Sequence, residues 1–129
     1  MIQVNLNPDA SVFDAQAVRR LRELDPDGEK KLLERVYKTF VSSLRELLRQ
    51  LLLAQAQGDA TTMRHAAHSL KSSCASVGAL SLAARAAEVE AAVRAGLPAS
   101  EIIEVDELRH EADRALESLR TLLGPHDAP

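Results

Sequence analysis

Aromatic side chains are nearly missing: they make up 2% of the chain, as two Phe, one Tyr and no Trp. Any core must therefore be built from Leu, Ala, Val and Ile, which suits close-packed helices. The scarcity also removes the stacking platforms of a nucleic-acid binder. An excess of positive charge is lacking as well, since 16 Lys and Arg face 19 Asp and Glu for a net charge of −3. No basic stripe is available for a phosphate backbone. No apolar run approaches the roughly 18 residues that span a bilayer, and the opening MIQVNLNPDA lacks the design of a signal peptide. The single cysteine, Cys74, cannot form an internal disulfide, as expected in a reducing cytoplasm. A glycine-rich phosphate loop and a Mg²⁺-binding acidic cluster are both absent, so ATP handling is not expected. The remaining balance, 46% hydrophobic and 27% charged over 129 residues, fits one soluble cytoplasmic domain.

What the chain does have is helix punctuation. Asp14 can cap a short first helix ending near Leu24, with Phe13 and Val18 placed as a hydrophobic staple, before DPDG (Asp25 to Gly28) turns the chain. A second helix is expected from about Glu29 to Gln57, on a stripe of Leu33, Tyr37, Phe40, Leu44, Leu47, Leu51 and Ala54. Gly58 stops it, and Asp59 caps a third from Ala60 to Val77 that Gly78 closes. A fourth, near Leu80 to Ala95, buries Leu82, Ala86, Val89 and Val93. Ser100 is expected to cap a fifth, reaching about Leu123 on Ile102, Val105, Leu108, Ala112, Ala115, Leu119 and Leu122. Short connections make such helices antiparallel neighbours. The expected fold is all-α: an antiparallel up-down four-helix bundle with an additional short N-terminal helix over residues 14–123, between tails at 1–13 and 124–129. Four stripes in one chain can satisfy one another, so a monomer is expected.

The third helix raises the functional question. Met63, Ala67, Leu70, Cys74 and Val77 form its core stripe, and at about 100° per residue His68 falls roughly 150° from the middle. Its neighbours are polar: Arg64, His65, Lys71 and Ser72. Burial does not explain His68, although an exposed histidine alone is ordinarily a plain surface residue. Lys71 sits one turn on, where its ammonium can reach a group attached to the ring, and the small Ser72 leaves one side of the ring open. This is an accessible nucleophile beside a cation on a rigid helix. Cys74 reads as core and His65 as surface.

The run AHSLKSSCASVGALSLAARAAEVE, Ala67 to Glu90, resembles the signature of histidine-containing phosphotransfer (HPt) domains. Ala67, His68, Leu70, Lys71, Ser73, Gly78, Ala79, Leu82, Val89 and Glu90 match it in type and spacing, while Ser72 stands where Gly is most common. VFDAQAVRRLREL resembles the family's opening helix. The resemblance implies that His68 is the phosphoacceptor, receiving a phosphoryl group from one response-regulator receiver aspartate and passing it to another. It implies that Lys71 offsets phosphoryl charge, with Arg64 as further electrostatic support, and that Ser72 keeps access open. The receiver would bring the Mg²⁺, this chain no cofactor of its own, and a hybrid sensor histidine kinase would act in cis or in trans. Neither nucleic acid nor membrane is an expected partner. Leu48 and Leu52, off the centre of their stripe, are expected to form an apolar rim for the receiver beside His68.

Three other readings remain at this stage. A histidine-kinase dimerisation domain also presents a histidine on a helix bundle, but usually with Asp or Glu next in sequence, where this chain has Ser69. A metal site would draw on His65 and His68, or on Glu107 and His110, but the first pair has no third ligand and the second points away from its helix's core stripe. A helical interaction module without phosphoryl chemistry is the third.

Overall fold

The structure, a computed structural model, describes residues 11–123, with side chains as far as Arg120. The expected tail at 124–129 and the Leu122 side chain lie outside the described residues. Five α-helices follow in order: α1 (Ala15–Glu23), α2 (Leu32–Gln57), α3 (Ala60–Ser76), α4 (Leu80–Arg94) and α5 (Glu104–Leu123). Among the described residues there is no strand, and no helix is long and apolar enough to cross a membrane. Each of α2 to α5 packs on the next, α5 returns to α2, and α1 lies on α2. This is the expected up-down bundle with a short helix added.

Two helix starts differ from expectation, each for a local reason. α2 begins at Leu32 rather than near Glu29. The Asp25 carboxylate accepts the backbone N–H groups of Lys30 (3.3 Å) and Leu32 (3.1 Å), holding the turn closed, and Lys31 takes a left-handed conformation before the helix starts. Ser100 does not cap α5. It lies in a single 3₁₀ turn, Ala99–Glu101, whose Ala99 carbonyl accepts from Gln55 of α2 at 3.1 Å. The next residue, Ile102, is extended and buried, so α5 starts only at Glu104.

The stripe of α2 is rotated from the one expected. Val41 and Leu48 are buried with Tyr37, Phe40, Leu44, Leu51 and Ala54, whereas Leu33 and Leu47 are half-buried. Leu48 is thus core rather than rim, and Leu52 is half-buried against the core. The expected stripes of α3 and α5 are buried as far as side chains are described, and in α4 only Val93 is half-buried. Cys74 is core, its thiol pushed up to about 12 by burial.

All three aromatics gather at the end where α3 turns into α4. Phe13 meets Tyr37 edge-on at 5.2 Å and Phe40 at 6.0 Å. The Tyr37 hydroxyl donates to the Val77 carbonyl at 3.3 Å, and burial pushes its phenol up to about 12. The Asp14 backbone N–H donates to the Gly78 carbonyl at 2.7 Å, while the Asp14 side chain caps α1 by accepting from Ala17. α1 and α2 thereby satisfy carbonyls that the tight α3–α4 turn leaves open. Gly78 has φ +80, and a Cβ there would lie 2.5 Å from Ala17 Cβ. Gly58, which ends α2 at φ +67, has open space around the same position. Gly58→Ala should therefore cost about 1–2 kcal/mol of left-handed strain. Gly78→Ala should cost about 1–3 kcal/mol more for the overlap with Ala17. Urea unfolding of the two variants checks this, and equal losses would contradict the docking of α1 on the turn.

Candidate functional site

His68 stands at the middle of α3, on the side away from Met63, Ala66, Ala67, Leu70 and Cys74, all of which are buried. Its side chain is 57% exposed. The antiparallel α4 runs beside this stretch and presents Glu90, the one buried charged residue among those described, at 4% exposure. A buried carboxylate needs donors for its lone pairs. Glu90 has three. Lys71 Nζ donates to Oε1 at 2.8 Å, His68 Nδ1 lies 2.9 Å from Oε2, and an Arg94 guanidinium nitrogen reaches Oε2 at 3.4 Å. The hydrogen bond from Lys71 is the main reason the Glu90 carboxyl lies below its ordinary range. Burial opposes it, while the hydrogen bond from His68 and the charges of Lys71 and Arg94 act with Lys71.

The geometry fixes a tautomer. An ionised carboxylate can only accept, so Nδ1 carries the hydrogen and a neutral ring has its lone pair on Nε2. With the Nδ1 edge held against Glu90 and more than half of the side chain exposed, Nε2 is the nitrogen available for chemistry. Similar support of a histidine by a carboxylate sets ring orientation and basicity in metal and catalytic sites.

The expected site residues divide. His68 and Lys71 come together through Glu90, so in this state the Lys71 ammonium is engaged rather than waiting in solvent. Ser72 is exposed, one turn beyond His68. Arg64 is half-buried, and the arginine that meets Glu90 is Arg94. His65 is exposed; it adds a minor share to the lowering of the Asp59 carboxyl, which is due mainly to hydrogen bonds from Thr62. Of the other candidate metal pair, Glu107 is paired with Arg85 at 3.2 Å and His110 is exposed. Among the described residues no three His, Cys, Asp or Glu side chains are grouped to hold a metal ion.

Glu90 is the participant that sequence reasoning left without a role. Its signal was a carboxylate on the apolar face of α4, beside Val89 and one turn after Ala86, where the other carboxylate of the helix, Glu88, is exposed.

The family model of the Hpt domain matches residues 35–127. The chain belongs to the Hpt domain family. Histidine-containing phosphotransfer protein B from Pseudomonas aeruginosa PAO1 is 30% identical in sequence, covering 89% of this chain and 93% of that one at a TM-score of 0.70. The HPT domain of the Hpt sensor hybrid histidine kinase from Shewanella, at 20% identity, shares the fold with a TM-score of 0.72 over 89% of this chain and 96% of that one. No curated protein matches the chain. The domain therefore serves histidine phosphotransfer in two-component phosphorelay, as a phosphocarrier rather than a kinase.

The Glu90 contacts set a pH dependence of stability. A carboxyl held below its ordinary range in the folded state stabilises the fold above the unfolded value, and that contribution is lost as pH falls through the folded value. Glu90→Gln should be less stable than the parent at neutral pH by about 1–3 kcal/mol, the worth of hydrogen bonds to a charged group. The gap should close as pH drops below the ordinary carboxylate range near ~4.3. Urea unfolding of both proteins across that range checks it, and a gap that persists in acid would contradict the role given to the carboxylate.

Proposed function

We propose that His68 is the phosphoacceptor of this domain, with Nε2 as the reacting atom. The observation that carries this is the exposed ring whose other nitrogen rests on buried Glu90. An aspartyl phosphate of a receiver domain approaches from solvent, Nε2 attacks phosphorus, and the aspartate leaves as carboxylate. Transfer to a second receiver aspartate is the same displacement reversed. Lys71 spans the site from one turn further along α3, and its ammonium offsets phosphoryl charge from there. Arg64 adds positive potential from the preceding turn. Together with Arg94 they complement the acidic pocket of a receiver, which acts more on encounter rate than on affinity.

The receiver brings Mg²⁺ and the catalytic groups, and this domain has no ATP-dependent activity of its own. The donor receiver belongs to a hybrid sensor kinase, in cis or in trans. The domain works as a cytoplasmic monomer without nucleic acid or membrane as a partner. Four apolar faces that cover one another support the monomer.

His68→Gln should abolish labelling by a phosphorylated receiver and leave helicity and melting nearly unchanged, whereas His65→Gln should keep labelling. Phosphate-affinity gels check both variants. Loss of labelling in His65→Gln alone would overturn the assignment. Access is tested at Ser72, because side chains on a helix lean toward its N-terminus and a long one there would cover the imidazole. Ser72→Arg and Ser72→Gln should slow transfer about tenfold or more, roughly 1.4 kcal/mol of barrier, with little change in stability. Ser72→Gly should be neutral or slightly faster. Quenched-flow transfer assays measure these rates, and unchanged rates in both bulky variants would mean that the receiver approaches from another side.

A further inference from the structure

Two tasks fall on one ammonium. The transfer reaction asks Lys71 to offset a phosphoryl group on Nε2, yet in the free domain Lys71 Nζ is bonded to Glu90 Oε1 at 2.8 Å. Nε2 lies on the edge of the ring away from Glu90. An ammonium drawn toward phosphoryl oxygens therefore moves outward, and its bond to Oε1 is given up. Glu90, with 5% of its side chain exposed, cannot replace that donor with bulk water. A buried carboxylate left short of a donor costs more than an ordinary hydrogen bond contributes. That cost would weigh against every phosphorylation of His68.

Arg94 is placed to remove it. It is the last residue of α4, one turn beyond Glu90 on the same helix. In the free domain a single guanidinium nitrogen reaches Glu90 Oε2, at 3.4 Å, and the side chain is 62% exposed. Such a contact is long for a charge-assisted hydrogen bond. The Glu90 carboxyl is lowered mainly by the Lys71 hydrogen bond and least by the charge of Arg94. A guanidinium nevertheless carries a fork of donors that fits both oxygens of a carboxylate. Arg94 thus has donor capacity that the free domain leaves turned to solvent.

Resting on the assignment of His68 as acceptor and Lys71 as its cation, we propose that Arg94 is the replacement donor that frees Lys71. When the phosphoryl group arrives, Lys71 turns out to it and Arg94 closes on the oxygen that Lys71 has left. Arg94 is a positioning residue in this scheme, since it touches neither the ring nor the phosphoryl group. No covalent bond changes in the exchange, and His68 keeps its own contact with Oε2. Charge favours the exchange as well. In the free domain two cations share one carboxylate. The phosphoryl group adds about two negative charges, and afterwards each anion holds one cation.

The test follows the phosphoryl group between the whole chain and one receiver until the two reach equilibrium, read on phosphate-affinity gels. It compares the parent with Arg94→Met, Lys71→Met and the double variant; Met keeps a long unbranched stem and removes every donor. Arg94→Met should shift the equilibrium away from His68 by about tenfold, within the coupling range of side chains that share a partner. Lys71→Met should shift it at least as far. In the Lys71→Met background there is no ammonium to release, so adding Arg94→Met should change the equilibrium by less than about twofold, the scatter of independent sites. An equilibrium unmoved by either single variant overturns the proposal. So does an Arg94→Met loss that is undiminished in the Lys71→Met background, which would mean that Arg94 acts on the phosphoryl group itself. A second measurement needs no variant and no receiver: the chain is labelled with ¹⁵N-arginine and phosphorylated by phosphoramidate. Rotation of the Arg94 guanidinium should be fast in the free domain and slow once His68 is phosphorylated, and unchanged rotation overturns the exchange. A chain that takes no phosphoryl group at His68 instead overturns the acceptor assignment, and this inference with it.

Discussion

One carboxylate between α3 and α4 organises the site. Glu90 is taken out of water at a cost that only hydrogen bonds and opposite charge can offset. Its oxygens accept from Lys71 and Arg94 and meet His68 Nδ1, so three side chains that would otherwise move freely are held by one buried group. Removing the carboxylate would leave the Lys71 ammonium without its partner and the imidazole free to rotate or change tautomer. The site needs no pocket, because its chemistry consists of one nitrogen held outward on a helix. A cavity of about 250 Å³, lined by residues such as Leu21, Asp25 and Leu33, belongs to the α1–α2 turn and not to the histidine.

The interaction holds only if α3 and α4 keep their register, and the turn at the bundle's end sets it. A three-residue connection, Val77 to Ala79 with Gly78 in the left-handed region, leaves no slack between the helices. Asp14 and Tyr37 bind the carbonyls of that turn, and Phe13 fills the space between them and Phe40. The few aromatics of this chain are thus spent at a single place. From there, His68 and Glu90 lie about ten residues along each helix, close enough for the turn to fix their pairing. On the other face of α4, Arg85 joins Glu107 and Glu111 of α5, which holds that helix from behind.

Much of this was legible in the sequence, and the exceptions have physical causes. The outward direction of His68 followed from a three-four stripe that tertiary packing had no reason to disturb. The caps at Asp14 and Asp59 were read correctly because each is a local bond to the chain three residues on. Ser100 offered the same local signal and lost, since burying Ile102 demanded an extended step that a helix starting there could not give. Leu47 and Leu48 could not be ranked by periodicity alone. Adjacent leucines on a long helix compete for one groove, and the partner helices choose between them. Glu90 was visible as a motif letter but not as a participant, because its partners lie on another helix and sequence separation hides them. Arg64 and Arg94 differ for the same reason: Arg64 is near His68 in sequence, Arg94 near the carboxylate in space.

The central claim is that the buried carboxylate decides which atom of the chain carries the phosphoryl group. One-bond nitrogen–phosphorus coupling in the phosphorylated, ¹⁵N-histidine-labelled domain tests it most directly. The account predicts a single coupled nitrogen, Nε2 of His68, with Nδ1 uncoupled. Coupling to Nδ1 of His68, or to either nitrogen of His65, would contradict it.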